Sequence, residues 1–195
     1  MKTRIHKLFE DIKHKKDEIA LEYEKLKEEY GFRIEWRKII WNKEKKEELK
    51  KEKKSILDSI FSATIREILS IPFIWMMLIP AIFLDIWLLI YQQTALRLYK
   101  IPLVKRSDYI IFDRWQLVYL NWIQKIDCLY CSYFNWVMQY SVEIAWRTEK
   151  YWCPIKHASK KAWEHAWEEY FADYWDPKWF KETFWNVKEF EKLKK

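Results

Sequence analysis

Hydrophobic and polar positions fall into three regimes along the chain. In residues 1–54 the apolar side chains are scattered among charges. The stretch "KLFEDIKHKKDEIALEYEKLKEEY" sets Leu8, Ile12, Ile19, Leu21, Tyr23, Leu26 and Tyr30 between Glu and Lys residues. This pattern predicts a loosely amphipathic helix with an irregular stripe, which does not support a long regular coiled coil. Gly31 is the expected stop, and "RKIIWNKEKKEELKKEKKS" is expected to form a second helical piece.

Residues 68–91, "ILSIPFIWMMLIPAIFLDIWLLIY", carry one charge, Asp85, in 24 positions. A bilayer span needs ~20 apolar residues, so the segment qualifies. Pro72 and Pro80 interrupt it. Pro80 removes a backbone donor and crowds the carbonyl of Met76, which kinks or breaks a helix. Each half flanking Pro80 measures only about 17 Å at 1.5 Å per residue, too short to cross alone. The segment is therefore either one kinked span or a re-entrant hairpin. Asp85 in such a setting needs a partner or a polar cavity. Arg97 lies too far along a straight helix to serve. In a shallow hairpin Asp85 would lie near the headgroups and need none.

Beyond the apolar segment, "YKIPLVKRSDYIIFDR" reads as a connector with a strand-like piece. From Trp115 onward, "VYLNWIQKI", "FNWVMQYSVEIAWRTEKYW" and "SKKAWEHAWEEYFADYW" read as three helices separated by Cys- and Pro-containing turns. Pro177 starts a last short segment. The expected fold class is all-α. A charged helical arm (1–54) leads into a proline-broken membrane segment (55–99), then a small helical metal-binding domain (100–195).

Charge adds a partner to this picture. The 195 residues carry a net charge of +7. Seven lysines between Lys43 and Lys54 form either a solvated helix face or a surface for an anionic lipid bilayer. Near such a surface each basic residue is worth about 1 kcal/mol. Nucleic acid is disfavoured, because acidic residues interrupt the lysines throughout; the arm is also open to protein partners. Eight Lys/Arg residues lie at 43–66 and five at 97–114. Basic flanks favour the cytoplasmic side, so both ends lean that way. The expected location is a bacterial inner membrane with the C-terminal domain facing the cytoplasm.

The chain has one glycine, Gly31, and fourteen tryptophans. Asn135–Trp136 and Trp175, ahead of Asp176–Pro177, occupy places where turn chemistry calls for glycine. This pattern is expected where UGA, read as glycine in some bacterial lineages, has been translated as tryptophan. Interfacial enrichment accounts for the excess of Trp but not for the lack of Gly.

Candidate chemistry rests on all three cysteines. Cys128 and Cys131 form a C-x2-C pair, and Cys153 and His157 follow as C-x3-H. Pro154 suits the first turn of a helix, which would carry His157 one turn beyond Cys153. Three thiolates and an imidazole make a closed tetrahedral site of the kind structural zinc prefers, with iron as the alternative metal. Buried inert thiols and a Cys128–Cys131 redox pair are the competing readings. His165 is expected to be an ordinary surface histidine. Glu143, Arg147 and Glu149 are expected to form intrahelical ion pairs. No nucleophile elbow, phosphate loop or HExxH motif is present.

The words "IPLVKRSDYI", "DCLYCSYFN" and "YWCPIKHA" within residues 70–158 resemble an uncharacterised family of bacterial membrane proteins. In that family glycine follows the asparagine that matches Asn135. The resemblance implies a membrane-associated protein with these Cys and His positions and implies no reaction. Residues and resemblance together lead to a non-enzymatic, membrane-associated protein with a structural Cys3His zinc site. The alternative is a membrane-bound redox or metal enzyme using thiolate-ligated iron or a dithiol pair.

Overall fold

The structure is a computed structural model describing residues 4–35, 38–159, 165, 167–188 and 190. It is mostly helical. Two compact units share the chain: Met1–Trp75 with Ile111–Tyr133, and Met76–Ile110 with Phe134–Lys195. Neither unit is one consecutive stretch.

In the first unit α1 spans Arg4–Glu29. Gly31 follows at φ +69, a left-handed conformation that costs glycine little and ends the helix. The second helical piece begins later than its sequence predicts. β1 (Phe32–Glu35) and β2 (Lys38–Trp41) pair antiparallel, with Phe32 opposite Trp41. Their rings lie 5.1 Å apart, and the branched and aromatic residues of "FRIE" and "KIIW" favour strand over helix. The Ile39 N–H of β2 donates to Gln116 Oε1 at 2.8 Å. α2 (Lys43–Lys51) and α3 (Ile56–Phe61) follow.

α4 (Ile65–Met76) and α5 (Leu78–Tyr91) meet at Met77, and a π-helical turn, Gln92–Leu96, extends α5. Pro80 explains the joint. Its ring nitrogen cannot donate to Met76, so α4 ends there and Pro80 sits in the first turn of α5, where a missing N–H is tolerated. Pro72 lies inside α4. Ile65–Leu96 is one helix of 32 residues, long and apolar enough to cross a membrane, and not the two arms of a hairpin.

In the second unit the chain turns at Lys100 (φ 56). The Ile101 N–H donates to Leu96 O at 2.8 Å, and the Lys100 N–H donates to Arg97 O at 3.1 Å. These two bonds make a Schellman cap with lysine where glycine is usual. The segment after it contains a 3₁₀ turn, Arg106–Asp108, and no strand.

α6 (Trp122–Trp152) is a helix of 31 residues and runs through both expected turns. Asn121 Oδ1 accepts from the Gln124 N–H, and Gln124 Oε1 accepts from the Asn121 N–H, both at 3.0 Å. This reciprocal box starts the helix, and Pro154 stops it by disfavouring helical backbone at Cys153. No glycine or proline lies between, so nothing breaks it at "CLYC" or at Asn135. Trp136 is therefore a buried residue mid-helix, beside Val137, Tyr140 and Ile144 on one stripe. The turn expected at Asn135–Trp136 is not formed.

The third expected helix is absent among the described residues of 159–175, which hold a 3₁₀ turn at Glu168–Tyr170; residues 160–164 and 166 lie outside the described set. α7 (Pro177–Thr183) starts where Pro177 indicates. Asp176 Oδ1 accepts from the N–H groups of Lys178 (3.1 Å) and Trp179 (2.9 Å), satisfying two of the free donors at its N-terminus. Just beyond α7, Trp185 has φ 57, a backbone that glycine adopts freely and a bulky side chain rarely does.

Candidate functional site

The four proposed metal ligands occupy three settings. Cys128 and Cys131 lie on α6 one turn apart, the first half-buried and the second exposed. Residues three apart on a helix have Cβ atoms about 5–6 Å apart, whereas a disulfide needs about 3.5–4.5 Å. Cys153, exposed, follows the last residue of α6 and donates its N–H to Glu149 O at 2.6 Å. His157 is also exposed and is not on a helix. Its neighbours are held in extended form instead. The Lys156 N–H donates to Ala172 O (2.8 Å), and the Ala172 N–H donates to Pro154 O (2.7 Å), a parallel bridge between Ile155 and Ala172. Pro154 thus ends a helix and begins none, and the helical spacing expected of Cys153 and His157 is not formed.

The two pairs are not brought together. α6 is unbroken over the 21 residues between Cys131 and Cys153, a rise of about 30 Å at 1.5 Å per residue. One zinc, with bonds of about 2.0–2.3 Å, does not reach both ends. Among the described residues no three His, Cys, Asp or Glu side chains stand together as a metal group.

The concentrated polar chemistry lies elsewhere, along α5. Ala81, Asp85, Gln92 and Leu96 are buried, at spacings of four, seven and four that keep them on one face. Asp85 is only 6% exposed. Its carboxylate pairs with the Arg106 guanidinium, the partner that an apolar setting calls for, and not the partnerless state expected of a shallow hairpin. The guanidinium also lies 4.7 Å over the Trp136 ring, within cation–π reach. Seven residues after Asp85, Gln92 (3% exposed) uses both ends of its amide. Its Nε2 donates to Tyr140 Oη, and its Oε1 accepts from the Val104 N–H at 3.2 Å. The Tyr109 ring packs edge-on to Tyr140 at 5.8 Å. Burial pushes the Tyr140 phenol up from its ordinary value. Burial first, and Glu143 second, push Tyr109 up to about 12. Both phenols stay protonated at neutral pH.

A second polar group caps this one along α6. Arg147 Nε donates to Glu143 Oε1 at 2.7 Å, the expected intrahelical pair. Each partner also bonds beyond the helix: Arg147 Nη1 donates to Pro102 O (2.7 Å), and Glu143 Oε2 accepts from Trp167 Nε1 (3.1 Å). His165 is not a surface residue. It is 5% exposed, stacked on Trp146 at 4.1 Å, with Nε2 3.8 Å from Glu149 Oε2.

What these residues form is a network of paired charges and satisfied amides. The sequence signal for it was two polar residues seven apart on an apolar helix. Arg106 escaped notice because the turn at Lys100, not helix periodicity, brings it back. No family model, curated protein or solved structure matches the chain.

Proposed function

We propose that the chain is a membrane-anchored, non-catalytic module in which the helix Ile65–Leu96 crosses the bilayer. The carrying observation is the inverted polarity of α5. Ile79, Ile82, Phe83, Ile86, Trp87 and Ile90 face outward, while Asp85 and Gln92 face the protein. A soluble helix buries its apolar stripe; a membrane helix hides its polar residues against protein and leaves apolar ones to lipid. α4 supports the same reading, since it buries no residue and its Phe73, Ile74 and Met76 are all exposed. A crossing puts residues 43–66 and the far end of the helix, at Arg97, on opposite faces. The lysine-rich side, residues 43–66, belongs on the cytoplasmic side.

Zinc at Cys128, Cys131, Cys153 and His157 forms no part of this reading, because α6 keeps the pairs apart. Neither does the dithiol enzyme, because the spacing of Cys128 and Cys131 in an unbroken helix disfavours their disulfide.

Fractionation and side-specific labelling test the proposal. The chain is expected to stay in the membrane pellet through alkaline carbonate. With the three cysteines replaced by serine, Lys54→Cys and Arg97→Cys are expected to be labelled from opposite faces. Release by carbonate overturns the anchor, and labelling of both from one face overturns the crossing.

A further inference from the structure

α1 carries an apolar seam that is left exposed among the described residues. Ile12 is 47% exposed, Ile19 57% and Tyr23 63%, on a continuous helix of 26 residues. Their positions are regular. Ile5, Ile12, Ile19 and Leu26 recur every seven residues. Four residues after each come Phe9, Lys16, Tyr23 and Tyr30. Alternating steps of four and three are the seam of a left-handed coiled coil. Leu21 lies on the opposite face and Leu8 on the flank; counting them in makes the stripe look irregular.

We propose that α1 pairs with α1 of a second copy as an antiparallel coiled coil. The charges choose both the partner and the direction. In full antiparallel overlap, positions whose numbers sum to 35 face each other: Ile12 meets Tyr23 of the other copy, and Lys16 meets Ile19. No two lysines share a layer. A parallel pair would set Lys16 against Lys16 inside the seam, a like-charge clash. On one flank of the antiparallel pair Lys15 lies opposite Glu22 of the second copy, and the two-fold repeats the contact. Each has an intrahelical partner, Glu18 for Lys15 (2.8 Å) and Lys25 for Glu22 (2.7 Å), and remains exposed enough to add another. A surface complementary to its own reversed copy is what an isologous dimer requires.

The test uses the full chain in detergent, with mass read against 24.5 kDa per chain. The expected mass is that of two chains. Ile19→Glu puts a carboxylate into the seam, and its dissociation constant is expected to rise about a hundredfold or more. Leu21→Glu, on the opposite face, is expected to leave the mass unchanged. Lys15→Glu or Glu22→Lys alone is expected to weaken pairing about fivefold, and the two together to restore it. In a cysteine-free background, chains with Ile12→Cys are expected to cross-link to chains with Tyr23→Cys but not to each other. Monomeric mass at every concentration overturns the proposal, as does pairing indifferent to Ile19→Glu. Cross-linking of Ile12→Cys chains to one another overturns the antiparallel direction.

Discussion

α1 and α5 are both helices with one distinctive stripe, and the stripes are opposites. α1 shows isoleucine and tyrosine to the outside from a background of Lys and Glu. α5 and the π-helical turn that extends it hide Asp85 and Gln92 within a background of Ile, Leu and Phe. The lesson is that amphipathicity alone does not say which face is the inside. The minority residues do: in α1 the minority is apolar and calls for a protein partner; in α5 it is polar and has found one.

Removing the partner in α5 should give the largest effect. Arg106→Met leaves the Asp85 carboxylate buried and uncompensated, and is expected to destabilise the fold by about 3 kcal/mol. Thermal unfolding in detergent checks it. The added change Asp85→Leu is expected to recover most of the loss, since an apolar pair replaces a buried ion pair at little cost. Next comes the outward face. Ile86→Lys is expected to cost membrane insertion about 3 kcal/mol, read as the inserted fraction in a translation–insertion assay. In contrast, Leu21→Lys on α1 is expected to leave the fold unchanged. Smaller still is Tyr140→Phe, which takes from Gln92 one hydrogen bond, about 1 kcal/mol, again by thermal unfolding. The last effect is a pH dependence, seen only in alkali. Tyr109 titrates near 12 in the folded chain and near 10 unfolded, so folding holds its proton. That contribution is complete below pH 10 and is lost as pH rises through 12. Tyr109→Phe is expected to remove that loss from a stability–pH series.

Local signals were legible where local physics decides. Gly31 ends α1, Asp176 and Pro177 start α7, and residues 68–91 announce an apolar helix. The strand Lys38–Trp41 was missed because the lysine-rich sequence after it drew the helical reading back to Arg37, and Phe32–Glu35 was given no element. The Cys and His spacing suggested a metal site on the premise that turns interrupt 122–152; α6 has no breaker until Pro154, and the premise fails. Arg106 was invisible for a different reason: its contact with Asp85 is made by a chain reversal that no periodicity encodes.

The tryptophans divide in the same way. Trp136 sits where a helix runs, so turn chemistry no longer argues for glycine there. Trp185, with its positive φ, is where glycine best fits the backbone. If UGA is read as glycine at this codon, the tryptic peptide 182–188 of the protein from its own host is expected to carry glycine by mass spectrometry; tryptophan there ends the recoding idea at this position.

The pairing of Asp85 with Arg106 also has a timetable. The arginine lies 21 residues later in the chain, so at about 5–20 residues per second it is made about 1–4 s after the aspartate. Through that interval the nascent helix holds a bare carboxylate, which at a bilayer centre costs about 3 kcal/mol. If the helix crosses a bilayer as proposed, its stable lateral release from the insertion machinery would wait on the ribosome, and a stall between codons 85 and 106 would strand the segment half-committed to the membrane.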